Sequence, residues 1–170
     1  VQRGGARFRL GETVPARADL NHSLSIKPTY EAYVYLGLIA SEAKDRAGAI
    51  DQFSKAIAIA PREHLAYAKR GSEYNRSIKP DEALRDLGKA IELQPRDAEA
   101  YSSRAVAWSL KKREREAIAD ATRAIELAPG VAEYYNIRGS AHFGLGDRQR
   151  AVADWRKALV LDPKSVHSFP

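Results

Sequence analysis

The sequence has no cysteine and no methionine among its 170 residues. Without cysteine the chain can form no disulfide, no thiolate nucleophile and no thiolate metal site, so neither its fold nor its chemistry depends on sulfur. Since the chain does not begin with methionine, we expect it to be part of a longer protein.

Long apolar runs are also missing. None approaches the roughly 20 residues of a membrane span, and VQRGGARFRL at the start has neither the apolar core nor the cleavage site of a signal peptide. We therefore expect no membrane partner, and a cytoplasmic location is favoured.

The residue patterns of catalysis and metal binding are missing as well. The four histidines never occur at metal-ligand spacing, and there is no HExxH, Walker-type or G-x-S-x-G pattern. The Gly-x-Gly in FGLGDRQR has no strand before it, which favours a hairpin turn over a phosphate-binding loop. We expect no catalytic residue, no metal, no cofactor and no enzymatic activity.

What the chain does contain is the composition of a globular protein, with 44% apolar and 29% charged residues. Its net charge is +6, so acidic partners have to be considered. The densest charge lies in SLKKREREA, residues 109–117, where four basic and two acidic side chains are consecutive. This run is either a nucleic-acid contact or a solvated turn.

A period of 34 residues organises the sequence. One series of tyrosines, one of prolines and two of alanines repeat at this step: Tyr33, Tyr67, Tyr101 and Tyr135; Pro61, Pro95, Pro129 and Pro163; Ala49, Ala83, Ala117 and Ala151; Ala56, Ala90, Ala124 and Ala158. Within each period, two amphipathic stretches flank a polar turn and the second ends at the proline. This pattern predicts a helical hairpin.

Two small residues in each period indicate that the helices of a hairpin approach closely. They occupy the eighth and twentieth positions, as Gly37 with Ala49, Gly71 with Ala83, Ala105 with Ala117, and Gly139 with Ala151. Helices of about a dozen residues are marginal alone, so each hairpin has to be stabilised by stacking on the next.

The stretch YVYLGLIA followed by AIDQFSKAIAIAP resembles the tetratricopeptide repeat, whose pattern is an aromatic, Leu-Gly, further aromatics and alanines, and a final proline. The resemblance implies an all-α, right-handed superhelical solenoid of antiparallel helix hairpins. Four gapless copies cover residues 30–63, 64–97, 98–131 and 132–165. Arg70, Arg104 and Arg138 depart from the pattern at the leucine of the seventh position, and Ala105 replaces glycine at the eighth.

Both ends of the sequence are less regular. Residues 1–29 align as a truncated N-terminal repeat, with Pro28 at the repeat-ending proline, and residues 166–170 form a short tail. Because a solenoid normally closes with a polar-faced capping element, apolar helix faces at its two ends favour end-to-end self-association.

Comparing the copies with one another predicts an ion pair inside each hairpin. Every unit with arginine at the seventh position has aspartate at the twenty-third: Arg3 with Asp19, Arg70 with Asp86, Arg104 with Asp120, and Arg138 with Asp154. The first full repeat lacks both, having Leu36 and Gln52. The planar guanidinium suits a bidentate contact with a carboxylate.

The resemblance also implies a ligand surface, because the first helices of tetratricopeptide hairpins line a concave groove. The second, fifth, ninth, twelfth and thirteenth positions point into it, which gives Glu31, Val34, Leu38, Ser41 and Glu42; Leu65, Ala68, Ser72, Asn75 and Arg76; Glu99, Ser102, Val106, Ser109 and Leu110; and Glu133, Asn136, Ser140, Phe143 and Gly144. The set is small and neutral, with apolar patches and an acidic row at Glu31, Glu99 and Glu133.

The family's chaperone-tail clamp grips a terminal carboxylate with basic and asparagine side chains. The corresponding positions here are Val34, Leu38, Lys69, Glu99 and Ser103, and the frame one repeat later fails as well. We therefore expect no binding of chaperone tails.

The function we infer is non-catalytic protein–protein interaction, as a scaffold that binds a protein or peptide segment in the groove. One alternative is an RNA-binding helical-repeat solenoid, which the 34-residue step and the mixed groove charge disfavour, so nucleic acid is an unlikely partner. The other is a substrate-presenting region of a larger enzyme.

The repeat register interprets the charged run. Residues 109–117 align with the inter-helix turns of the other copies, so we expect a solvated turn at the edge of the solenoid. The better candidate for an acidic partner is a C-terminal basic group, made of Arg148, Arg150, Arg156, Lys157 and Lys164.

Overall fold

The structure, a computed structural model, describes residues 1–163; the tail at 166–170 and Lys164 lie outside this range. The described residues form ten helices and no strand: α1 Gln2–Arg9, α2 Thr13–Ile26, α3 Tyr30–Glu42, α4 Arg46–Ile59, α5 His64–Arg76, α6 Pro80–Leu93, α7 Ala98–Leu110, α8 Glu114–Leu127, α9 Ala132–Gly144 and α10 Arg148–Leu161. None of these helices is long and apolar enough to cross a membrane.

The helices stack as antiparallel hairpins in two layers. Each helix packs on the next one along the chain, and odd-numbered helices also contact each other, as α5 does with α7 and α7 with α9. The odd-numbered helices therefore form the inner, concave layer of an all-α solenoid, and the even-numbered helices form the outer one. This is the architecture that the 34-residue period predicts.

Polar side chains and proline set where several helices begin. Thr29, Asp45, Asp97 and Asp147 each accept a hydrogen bond from a backbone N–H in the first turn of the following helix, at 2.9 to 3.3 Å. Pro80 opens α6, where its missing N–H has no intrahelical partner to lose.

Every hairpin turns through one residue with a left-handed backbone. These residues are Gly11, Lys44, Ile78, Lys112 and Gly146, with φ between 55° and 81°. In all five turns the next residue's N–H bonds to the carbonyl oxygen five residues earlier, at 2.9 Å, which closes a Schellman motif. The repeat register places the turn, but an isoleucine at this backbone angle could not be anticipated from residue type.

The two helices of a hairpin approach closely at the eighth position. A Cβ atom added to Gly37 would lie 2.5 Å from Phe53, and one added to Gly71 would lie 2.6 Å from Leu87. In the third full repeat the facing residue is Ala121, and there the eighth position is Ala105. The size of the facing side chain on the second helix thus explains where glycine is required and where alanine fits.

The predicted ion pairs within hairpins are confirmed. The guanidinium groups of Arg3, Arg70, Arg104 and Arg138 each donate two hydrogen bonds to the aspartate sixteen residues later, at 2.5 to 2.9 Å. Asp86, Asp120 and Asp154 are buried. The hydrogen bond with the aspartate raises the pKa of Arg70, Arg104 and Arg138 above the usual arginine value.

Two of these arginines also join neighbouring repeats. Arg70 donates to the Ser54 hydroxyl of α4 at 2.9 Å, and Arg138 donates to Thr122 of α8 at 3.3 Å. Arg104 has no such partner because Gly88 occupies the equivalent position. Each of the three arginines lies 5.5 to 6.0 Å from the ring centre of the period's tyrosine. One side chain therefore links two helices of its own repeat and, in two cases, the previous repeat.

Replacing Ile78 by glycine should stabilise the protein. A β-branched residue with φ of 55° carries a backbone penalty of roughly 1–2 kcal/mol that glycine avoids. Its side chain is 75% exposed, so little packing is lost. We expect Ile78→Gly to raise the free energy of unfolding by about 1 kcal/mol, measured by urea denaturation. The reverse change in a matched turn, Gly146→Ile, should lower it, and a loss of stability in Ile78→Gly would contradict this account.

Removing one partner of a buried ion pair should cost far more than replacing both. Arg70→Leu leaves the buried Asp86 carboxylate unpaired, and we expect a loss of about 3 kcal/mol of unfolding free energy. The double variant Arg70→Leu with Asp86→Gln copies Leu36 and Gln52, and it should come within about 1 kcal/mol of the wild type. As a control, Lys55→Leu breaks an exposed pair with Asp51 and should cost less than about 0.5 kcal/mol.

Candidate functional site

The groove positions predicted from the repeat pattern divide into two regions that differ in accessibility. In the N-terminal part, Val34 and Ala68 are each 5% exposed and Ser102 is 4% exposed. They pack between neighbouring first helices and offer little to a ligand. Glu31, Glu42 and Leu65 stay exposed.

Polar groove side chains in this region hold the inner helices together. The Ser41 hydroxyl donates to the buried Glu73 carboxylate at 2.5 Å, and Arg76 donates to the same oxygen. Farther along, the Asn75 amide donates to the Ser103 carbonyl at 2.7 Å, and the Ser72 and Ser103 hydroxyls are 3.1 Å apart. These groups connect α3 to α5 and α5 to α7, so their donors are used within the fold, while the buried Asn75 Oδ1 has no partner among the described residues.

The C-terminal part of the groove is open. A cavity of about 900 Å³ lies between α7 and α9, beside the C-terminal end of α10. Six of the predicted groove residues line it: Val106, Ser109, Leu110, Glu133, Asn136 and Ser140. Its size falls within the range of ligand sites in proteins.

The cavity combines an apolar floor with polar groups at its edge. Val106, Leu110 and Ile137 supply the apolar surface, while Asn136 and Ser140 make no side-chain hydrogen bond with any residue in the range 1–163. The Ser109 hydroxyl donates to Glu114 at 3.1 Å. The arrangement can bury apolar side chains and offer an amide and a hydroxyl to a bound backbone.

Charges of both signs line the cavity. Glu133 forms no ion pair with the described part of the chain, and Lys112 and Asp162 also line the wall, whereas Glu99 lies outside the lining and accepts from Lys69 at 2.5 Å. Burial raises the pKa of the Tyr134 hydroxyl, and the negative charges of Glu99 and Glu133 raise it further. The groove is therefore suited to a basic side chain at this point.

Several cavity residues were missed by the repeat pattern. Ile137 occupies the sixth position, next to the predicted Asn136, and Lys112 lies in the preceding turn. Gly130, Val131 and the α10 end at Leu161 contribute the remaining wall. The sixth position could have been found from its apolar character beside a groove residue. Phe143 was predicted to face the groove. Its ring instead packs near that of Trp155, with the two ring centres 5.8 Å apart, and it does not line the cavity.

The charged run at 109–117 spans the end of α7, the turn at 111–113 and the start of α8, as its register predicts. Arg113 stacks over the Trp108 ring at 4.7 Å and pairs with Glu116, and Lys111 pairs with Asp81 of the preceding turn. Two of the four basic side chains in the run are thus paired locally, while Lys112 and Arg115 form no ion pair with the described residues.

Within the described residues, no group of three or more His, Asp or Glu side chains lies close enough to hold a metal ion.

Known structures with similar folds are repeat proteins. MamA superposes with a TM-score of 0.82 at 25% sequence identity, over 95% of each chain. YrrB, described as a TPR protein with an unusual peptide-binding site, superposes with a TM-score of 0.79 at 21% sequence identity, over 97% of this chain and 86% of YrrB. TTC0263, a thermophilic TPR protein of Thermus thermophilus, superposes with a TM-score of 0.78 at 21% sequence identity, over 98% of this chain and 91% of TTC0263.

Sequence comparison gives a family but no individual relative. A search of curated proteins found no significant match. The family model of the ETO1 C-terminal domain matches residues 19–168, which is most of the chain. With its 34-residue period and its hairpin solenoid, the chain belongs to the ETO1 C-terminal domain family and is a tetratricopeptide-repeat protein.

Proposed function

We propose that this protein is a non-catalytic scaffold that binds a peptide segment of a partner protein in the cavity between α7 and α9. The observation that carries the proposal is the cavity itself, about 900 Å³ with an apolar floor and unpaired polar groups at Asn136 and Ser140. YrrB, with a similar fold, is described as having a peptide-binding site, and this supports a peptide as the ligand.

The cavity between α7 and α9 is the larger of two in the groove; a smaller one of about 400 Å³, in the N-terminal part, is lined by Ser41, Glu42 and Arg76. In the N-terminal part, the equivalent polar side chains are committed to contacts between helices, as with Ser41 to Glu73 and Asn75 to Ser103. A partner segment therefore gains most of its buried area near Val106 and Ile137. We therefore place binding at the groove positions around this cavity, while buried or hydrogen-bonded ones such as Val34, Ala68 and Asn75 pack between helices.

The cavity selects the chemistry of the segment. Apolar side chains would bury against Val106, Leu110 and Ile137, while a lysine or arginine would pair with Glu133. Asn136 can hydrogen-bond to the peptide backbone through both its amide and its carbonyl group. The expected ligand is an extended or helical segment with apolar residues and one basic residue.

A peptide array that varies apolar and basic content independently tests this selection. We expect binding to peptides that combine both features. The variant Val106→Glu with Asn136→Arg should lower the affinity of the best peptide at least tenfold, because a carboxylate is placed on the apolar floor, and tenfold corresponds to about 1.4 kcal/mol. Fluorescence anisotropy with the labelled peptide measures this change.

The matched control is Val160→Glu with Gln149→Arg, which makes the same change of charge at exposed sites outside the cavity. It should bind like the wild type. Selection of only acidic peptides, or equal loss of affinity in both double variants, would overturn the proposal. Tight binding of single-stranded RNA with a steep salt dependence would favour the nucleic-acid alternative instead.

A further inference from the structure

A second cavity lies at the turn edge of the solenoid, away from the groove. It has a volume of about 400 Å³ and is lined by Arg115 and Ile118 of α8, His142 of α9, Leu145 and Asp147 of the following turn, and Arg150 of α10. Arg115 belongs to the charged run at 109–117, and Arg150 belongs to the C-terminal basic group. The fold brings these two basic segments, one repeat apart in sequence, to the same cavity.

His142 is the unusual member of this cavity. Its side chain is only 8% exposed, yet neither ring nitrogen makes a hydrogen bond with any residue in the range 1–163. An imidazole that makes no hydrogen bond within the fold keeps a donor and an acceptor for a ligand. Because His142 lines the cavity, a ligand there could supply the missing partner.

The remaining groups favour a negatively charged ligand. Arg115 forms no ion pair with the described residues, and Arg150 meets only Asp147, at 3.4 Å. The Asp147 carboxylate also caps α10, since its Oδ1 accepts from the Arg150 backbone N–H at 3.1 Å. Two guanidinium groups and one imidazole thus face the cavity against a single carboxylate that is already hydrogen-bonded.

We propose that this cavity binds a phosphorylated side chain of a partner protein, with Arg115, His142 and Arg150 donating hydrogen bonds to the phosphate oxygens. Two arginine forks around one site are the usual means by which proteins hold phosphate groups. The volume, equal to that of about a dozen water molecules, holds the phosphate together with the flanking atoms of a side chain. Ile118 and the half-exposed Leu145 supply apolar contacts for those atoms.

This site is independent of the concave groove. Its residues come from the turn ends of α8, α9 and α10, and none of them lines the cavity between α7 and α9. The two sites could hold different parts of one partner or two different partners. Failure of either proposal leaves the other standing.

The test titrates the whole chain with N-acetyl-O-phosphoserine amide and follows the His142 ring resonances by NMR. We expect saturable shifts, and Arg115→Gln and Arg150→Gln should each weaken binding at least fivefold. The matched control Arg148→Gln removes a neighbouring exposed arginine that does not line the cavity, and it should bind like the wild type. The groove variant Asn136→Arg should also bind normally.

Inorganic phosphate and N-acetylglutamate amide identify the source of the anion. Both should bind at least fivefold more weakly, because phosphate lacks the flanking atoms and glutamate carries less charge. Equal affinity for inorganic phosphate would assign the site to a free anion, and equal affinity for glutamate would assign it to a carboxylate. Either of these two results would overturn the proposal. So would the absence of saturable shifts, or an equal loss of affinity in Arg148→Gln.

Discussion

The close approach of two helix backbones within each hairpin is the constraint on which the rest of this structure depends. It demands small residues where the helices cross, and a full side chain on the second helix is accommodated only opposite a glycine, as at Gly71 and Leu87. It also demands a tight turn, which five residues with left-handed backbones provide. The small residues that this constraint requires recur in the sequence every 34 residues.

Partly buried arginines paired with buried aspartates provide the second element of order. Within a hairpin, Arg138 makes a bidentate contact with Asp154, and through Thr122 it also reaches the preceding repeat. Because the aspartate is buried, the pair is sensitive to loss of one partner, while the first full repeat does without it by having Leu36 and Gln52. The pair therefore joins the two helices of a hairpin at one defined position.

The same repeat scaffold gives its two halves different surfaces. Near α3 and α5, serine and asparagine side chains of the inner layer bond to neighbouring helices, and a smaller cavity of about 400 Å³ lies at Ser41, Glu42 and Arg76. Near α7 and α9, Asn136 and Ser140 make no side-chain hydrogen bond within residues 1–163 and line a larger cavity.

Sequence alone determined the hairpins, their 34-residue step and the pairing of Arg70 with Asp86, because the step recurs in every repeat and the two residues of the pair are present or absent together. It could not show that Ile78 adopts a left-handed backbone, since isoleucine gives no turn signal. Only the tertiary structure decided which groove positions are open and that Arg115 and Arg150 meet beside His142. The physical reason is that accessibility depends on side chains of neighbouring repeats, and these differ from copy to copy.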